Sequence, residues 1–273
     1  MSHDILLLDN NAVRKLADGS RRRVLRANLR ATGREFWPSA VNVLEATKSR
    51  EPRTRSLLLG VLGELAGDNH VLTLPTEAIK ILATALSCGN ANVDLSEPRL
   101  TRIIREPESL TEEFAADARE HLVEQESSFR GVHEKGQREL RPVLAAKGGA
   151  DRWPTVNDFL DQVWTVPSHL ESYADRFWED WGLPDGDSKT QLLEHPAWKL
   201  FFDGWGAAAY TKSVAHPQPR WVETADLQQL VYMGFARSAL MLSDDGGLRH
   251  VGNQILQGRG LRAEVLPVVS MTE

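Results

Sequence analysis

Strand–helix alternation occupies both ends of this chain and is absent from its middle. That interruption constrains the fold more than any single motif does. Ile5-Leu-Leu-Leu is a short continuous apolar run that gives way to Asp9-Asn-Asn, the pattern of a buried parallel strand running into a polar loop. Ser20 can cap a helix over residues 21–31, closed by Thr32-Gly33. Glu35-Phe-Trp is a short second strand, and Pro38 and Ser39 open a helix whose apolar face holds Val41, Val43 and Leu44. Residues 57–65 form another apolar helix, His70-Val-Leu-Thr-Leu a third strand stopped by Pro75, and residues 76–86 a helix again. Alternation returns with a helix over residues 226–236, a strand from Ala239 to Ser243, the turn Asp244-Asp245-Gly-Gly, a helix over 248–256 and a strand over 263–269. Five strands with intervening helices predict an α/β domain with one parallel sheet covered on both faces.

The middle reads differently. Ser109 and Glu112 are spaced as a capping box before a long helical stretch, which Gly148-Gly149 breaks. Residues 155–164 and 197–213 are helical. Between them Ser168 and Glu171 form a second capping-box spacing, followed by Leu170, Tyr173, Ala174, Phe177, Trp178 and Trp181 at helical intervals. Six of the eight Trp lie between Trp153 and Trp205, which predicts an all-helical unit with its own aromatic core. The expected organisation is an α/β domain in two parts, 1–89 and 216–273, interrupted by a helical insertion over 90–215. Charge follows the same division. Residues 1–89 carry 13 Lys/Arg against 9 Asp/Glu, residues 90–215 carry 14 against 23, and residues 216–273 carry 5 against 6. The net charge of −6 argues against a protein that coats nucleic acid generally. An acidic middle between less acidic ends suggests different partners for the two units.

Several classes are excluded. No apolar run approaches the 18 or so residues of a membrane span. Met1-Ser-His-Asp lacks a basic and apolar signal pattern, so a cytoplasmic setting is expected. The single cysteine, Cys88, rules out an internal disulfide framework and a Cys-rich zinc site, and reads as a small buried hydrophobe. The eight His show no HExxH spacing, and no P-loop, GxGxxG or GxSxG is present.

Ligands of parallel α/β sheets bind beyond the carboxyl ends of the strands. Asp9 ends the first strand, Asp244 and Asp245 follow the fourth, Glu45 lies on the helix after the second, and Asp226 starts the helix before the fourth. Each alone has an ordinary role as a turn residue, cap or solvated helix acid. Together they predict four carboxylates at one sheet edge, an arrangement that raises their pKa values unless a cation offsets it. All-oxygen acidic sites suit Mg²⁺ or Mn²⁺, which can activate water and support in-line displacement at phosphorus.

Four segments in this order resemble the PIN-domain nucleases. Ile5-Leu-Leu-Leu-Asp9-Asn10-Asn11 is similar to that family's first strand and its Asp-x-Asn/Ser turn. Ser39-Ala-Val-Asn-Val-Leu-Glu45 is similar to its Ser-x5-Glu helix. The helix opening at Asp226 and the segment Leu240-Met-Leu-Ser243-Asp244-Asp245 look like those carrying the third and fourth acids. The resemblance covers roughly residues 4–87 and 222–269. It implies a PIN-like three-layer α/β/α fold and metal-dependent cleavage of RNA, with a toxin or defence effector among its settings. Asp9, Glu45, Asp226 and Asp245 would hold Mg²⁺ or Mn²⁺, with Asp244 the alternative fourth acid. Asn11, Ser39 and Ser243 would orient the carboxylates. The long helical insertion departs from the family and could bind a protein partner or inhibitor.

Arg22, Arg26 and Arg30, four residues apart, share a helix face, with Lys15 nearby; a solvated face and a phosphate-contacting ridge both account for this. Lys48, Arg50, Arg53 and Arg55 could extend the ridge. The alternative reading of the whole chain is a non-catalytic module that binds nucleic acid or protein. A phosphatase of the haloacid dehalogenase type is disfavoured, because Asn11 stands where a second Asp is needed.

Overall fold

A computed structural model describes residues 4–90, 92–117, 119–120, 141–183, 187–215 and 223–272. Its centre is a four-stranded, all-parallel sheet in the order β2-β1-β3-β4. The strands are β1 (Asp4–Leu8), β2 (Glu35–Phe36), β3 (Ser238–Leu242) and β4 (Ala263–Leu266). Leu6 pairs with Phe36 on one side and with Leu240 on the other, and Leu240 pairs with Glu264. The central β1 joins the two ends of the chain. It is apolar from Ile5 to Leu8 because both of its faces are covered there.

Residues 70–74 do not form the full strand expected. Leu72 makes single bridges, parallel to Ser39 and antiparallel to Ser96. Its N–H donates to the Pro38 carbonyl and its carbonyl accepts from Ala40 N–H, both at 2.7 Å. The ladder stays short because Pro75 and Pro98 start helices immediately after the two extended pieces. The sheet therefore has four strands, with this segment continuing its edge beyond β2.

Strand parity sorts the core into two layers. Leu6, Leu8 and Leu242 face one side, against α1 (Asn10–Lys15), α2 (Gly19–Thr32), α3 (Ala40–Thr47), α4 (Pro52–Ala66) and α6 (Pro98–Arg105). Gly63 permits the close approach of α4 to α6, since a Cβ there would lie 2.1 Å from the Ile104 carbonyl oxygen. Ile5, Leu7, Ala239, Met241 and Val265 face the other side, against α5 (Pro75–Ser87) and the helices of the middle that follow α6. Those are α7 (Gly149–Arg152), α8 (Val156–Phe159), α9 (Pro167–Asp180), α10 (Ser188–Glu194) and α11 (Pro196–Tyr210).

The middle was expected to be helical, and among its described residues regular structure is helical. Its aromatic residues, however, have no separate core. Trp153, Phe159, Trp198 and Phe201 belong to the same apolar cluster as Ile5, Leu7 and Met241. Trp153 meets Phe159 edge-on at 5.8 Å and Trp198 stacks on Phe202 at 6.2 Å, so these rings act as packing rather than as base platforms.

Two expected caps are displaced. Ser109 sits inside the turn Pro107–Ser109, and Thr111 Oγ1 accepts the Phe114 N–H instead. Ser168 lies within α9, which begins at Pro167 without a side-chain cap, because a proline at the first position already fixes the helical φ. Much of the helical stretch expected after Ser109, residues 121–140, lies outside the described residues, as does Pro184. The helix expected over 226–236 is α12 (Glu223–Gln228), tightening to a 3₁₀ turn over Gln229–Phe235. α13 (Gly246–Gly258) and α14 (Val269–Thr272) complete the chain.

One buried ion pair ties the middle to the sheet. Asp203 of α11 is fully buried and accepts both Arg259 Nε at 2.7 Å and Arg259 Nη2 at 2.8 Å. Asp203 keeps Arg259 firmly protonated. Cys88, expected inside, is exposed, because it follows the last buried turn of α5 and precedes Gly89 in the left-handed conformation.

Candidate functional site

The carboxyl ends of β1 and β3 bring three predicted residues together. Asp9 follows β1 directly, and its N–H still donates to the Leu242 carbonyl, which extends the ladder by one residue. The side chain then turns to cap α1, with Oδ1 accepting Ala12 N–H at 2.6 Å. Oδ2 accepts the Ser243 hydroxyl at 2.5 Å. Ser243 Oγ in turn accepts the Asp245 N–H at 3.0 Å. Asp9 is 1% exposed. Burial pushes its pKa up; the Ser243 and Ala12 hydrogen bonds oppose this, and the negative charges of Asp244 and Asp245 reinforce it. Among the described residues no Lys, Arg or His pairs with it.

Asp244 and Asp245 divide their tasks. Asp245 caps α13, accepting Leu248 N–H at 2.8 Å. Asp244 accepts Val268 N–H at 3.2 Å and is ion-paired with Lys15. Burial raises the Asp244 pKa, but Lys15, the Val268 N–H and Arg249 outweigh it and hold the carboxyl below its usual value. Lys15, expected to contact RNA, spans from α1 to this acid.

A second group gathers where α3 meets the segment before β3. Ser39 caps α3 in a reciprocal box with Asn42. The Ser39 hydroxyl also reaches Gln229 Oε1 at 2.9 Å, across 190 residues of sequence. Gln229 Nε2 donates to Asp226 Oδ1 at 3.5 Å, so Asp226, 7% exposed, is connected through Gln229 to Ser39. Asn42 Nδ2 donates to the Leu8 carbonyl at 3.0 Å and to Asn10 Oδ1 at 3.1 Å, which carries the network back to β1. The Tyr232 hydroxyl, buried, donates to the Thr73 carbonyl at 2.5 Å and fixes the same segment against the sheet edge.

Asn11 is exposed and its neighbour Asn10 is in the network instead, because a helix turns about 100° per residue and carries the second position of α1 outward. Glu45 is half-buried on α3 beside Asn10 and Asn42, and is paired with Lys48 at 2.5 Å. Arg55 is buried, donating to the Ser49 carbonyl and pairing with Glu112, so it is no part of an exposed ridge. Arg22 and Arg26 line a groove with Arg30 and pair with Glu64.

Two network members, Asn42 and Gln229, were not singled out in the sequence. Their signals were local ones: Asn42 is the third helical residue after the Ser39 cap, and Gln229 lies one turn beyond Asp226. Among the described residues, no three or more His, Cys, Asp or Glu side chains are gathered as a group that could hold a metal ion. No described helix is long and apolar enough to cross a membrane. No family model, curated protein or solved structure matches the chain.

Proposed function

We propose that the protein is a PIN-like, metal-dependent ribonuclease whose site lies at the carboxyl ends of β1 and β3. The observation that carries the reading is Asp9: a buried carboxylate, without a cationic partner among the described residues, pressed by two neighbouring acids. The donor chemistry fits Mg²⁺ or Mn²⁺, since Asp9, Asp245, Asp244, Asp226 and Glu45 offer anionic oxygens only. When bound, such an ion would lower the pKa of water and offset charge developing at phosphorus. These acids are not gathered into one ion site among the described residues; Asp9 and Asp226 would hold the ion with Asp245 or Asp244 after closing on it, and Glu45 would join after leaving Lys48.

The remaining roles belong to the surrounding side chains. Ser243 holds Asp9 Oδ2 and the Ala12 N–H holds Oδ1, which leaves one lone pair on each oxygen available. Ser39 acts on Asp226 through Gln229, fixing its distance from the sheet edge. Lys15 balances Asp244 and can turn toward a phosphate oxygen. The toxin or defence setting, an inhibitor bound by the acidic middle and a cytoplasmic location belong to this same reading.

A second reading, a non-catalytic PIN-like binding module, is favoured by the pairs Glu45–Lys48 and Lys15–Asp244, which hold two of the five acids away from an ion. One assay separates the two. Purified protein is incubated with single-stranded RNA in Mg²⁺, Mn²⁺ or EDTA, beside Asp9→Asn and Asp226→Asn. Cleavage in either metal, lost in EDTA and in both variants, supports the nuclease. No cleavage in any condition, or full activity in Asp9→Asn with metal present, sinks it.

A further inference from the structure

Helix α2 carries Arg21, Arg22, Arg23, Arg26 and Arg30 and no acidic residue. Like charges three and four apart repel on a helix, so this row stands against the helix's own stability. Between α2 and α4 lies a groove of about 390 Å³, lined by Arg22, Arg23, Arg26, Arg30 and the single acid Glu64. Glu64 bridges two guanidinium groups, at 2.7 Å from Arg22 Nε and 2.8 Å from Arg26 Nη1. Arg22 Nη1 is anchored on the Leu16 carbonyl at 3.1 Å. Among the described residues, Arg23 and Arg30 have no hydrogen-bond or ion-pair partner.

Carboxylate and phosphate oxygens present the same target to an arginine fork. Glu64 therefore marks where an anion fits between Arg22 and Arg26. We infer that this groove is the track on which the phosphodiester backbone of single-stranded RNA docks, with Glu64 presetting the two arginines and competing with the incoming phosphate. The inference deepens the nuclease reading and rests on it for the identity of the polyanion. Arg22, Arg26 and Arg30 recur every four residues, about 6 Å apart along the axis, which suits an evenly repeated charge. No lining residue is aromatic or a large aliphatic, so the groove lacks the anchors of a protein interface and the platforms that stack bases. Docking here is consequently independent of sequence.

The test is anisotropy of a fluorescein-labelled single-stranded RNA across a KCl series in EDTA, which stops metal-dependent chemistry while leaving docking intact. Arg23→Ala/Arg30→Ala breaks no existing ion pair. It should weaken binding roughly tenfold near 0.1 M salt and reduce the slope of log K against log salt by about 1.4, two phosphates' worth. Glu64→Gln should tighten binding about two- to fivefold. Thermal melts of both variants confirm the fold. Affinity within twofold of wild type in the double variant overturns the proposal, and so does weaker binding in Glu64→Gln. Equal competition by poly-glutamate overturns the choice of RNA over an acidic protein. Arginine-dependent binding without cleavage in Mn²⁺ would leave this groove standing and remove the nuclease; cleavage with arginine-independent binding would do the reverse.

Discussion

Asp9 and Asp203 are both almost wholly out of water, and the protein treats them in opposite ways. Asp203 receives two hydrogen bonds from one guanidinium, so its charge is answered within the fold. Burial raises its pKa on balance, as it does for Asp9, while Arg259 acts to lower it. Asp9 receives a hydroxyl and a backbone N–H, neither of them a full charge, and faces Asp244 and Asp245. Isolated buried charges are costly, and structural ones are paired. A chain that sets five arginines on α2 has cations to spare. Among the described residues none of them pairs with Asp9, and on the proposed reading this separates a carboxylate that locks two regions together from one that would take a cation from outside.

The largest expected effect tests the closed pair. Arg259→Ala strands Asp203 in the core and should cost about 3–5 kcal/mol in urea unfolding followed by Trp fluorescence. Replacing both members by Leu and Met should recover most of that loss; a single-variant cost below about 1 kcal/mol would break the contrast. Next comes Asp9→Asn, which keeps a good helix cap and removes the charge. RNA cleavage should fall by at least about a hundredfold, the upper end of what residues supporting a metal site cost when changed. Its melting temperature at neutral pH should nevertheless rise, since a buried charge is removed and the repulsion from Asp244 and Asp245 is relieved with it.

That gain has a pH signature of definite sign. The folded-state pKa of Asp9 is raised above its unfolded value, so the folded protein binds the proton more tightly. Wild-type protein should therefore recover stability as pH falls through the raised pKa toward the ordinary carboxylate range. The advantage of Asp9→Asn should shrink over the same window. Asp244 runs the other way: its lowered pKa contributes stability above the ordinary carboxylate range, lost on further acidification. Melting curves of Asp9→Asn and Asp244→Asn from neutral pH down to about pH 2, below the ordinary carboxylate range, separate the two. The smallest effect is Ser39→Ala, which removes the cap of α3 and the donor to Gln229 and should cost about 1–2 kcal/mol. An unchanged melting temperature there would detach Asp226 from the sheet edge.

Much of this was legible in sequence because the signals were local. The run ending at Asp9, the cap at Ser39 and the strand ending at Ser243 each state their own conformation within a few residues. What escaped was set at a distance. Nothing near Ser39 announces Gln229, 190 residues away, and nothing near Asp203 announces Arg259. The helical spacing of Trp178 and Trp181 shows that a face is apolar, but not that it shares a core with Leu7 and Met241. Apolar content over residues 70–74 predicts a full strand, but Pro75 after this segment and Pro98 after its partner near Ser96 cut the ladder short. The lysines that pair with Glu45 and Asp244 were visible as residues, yet a flexible four-carbon stem leaves its partner unspecified until the backbone is placed.

The position of β1 between β2 and β3 has a consequence for the order in which the chain comes into being. At synthesis rates of about 5–20 residues per second, roughly 10–50 seconds separate the emergence of Leu8 from that of Ser238. Through that interval one edge of the central strand has no neighbour, and its apolar residues need shelter from other nascent chains. Asp9 likewise lacks Ser243, and with it Asp226, Asp244 and Asp245, over the same interval, so on the proposed nuclease reading a partly made molecule would have no complete acid set to turn on the RNA being read to make it.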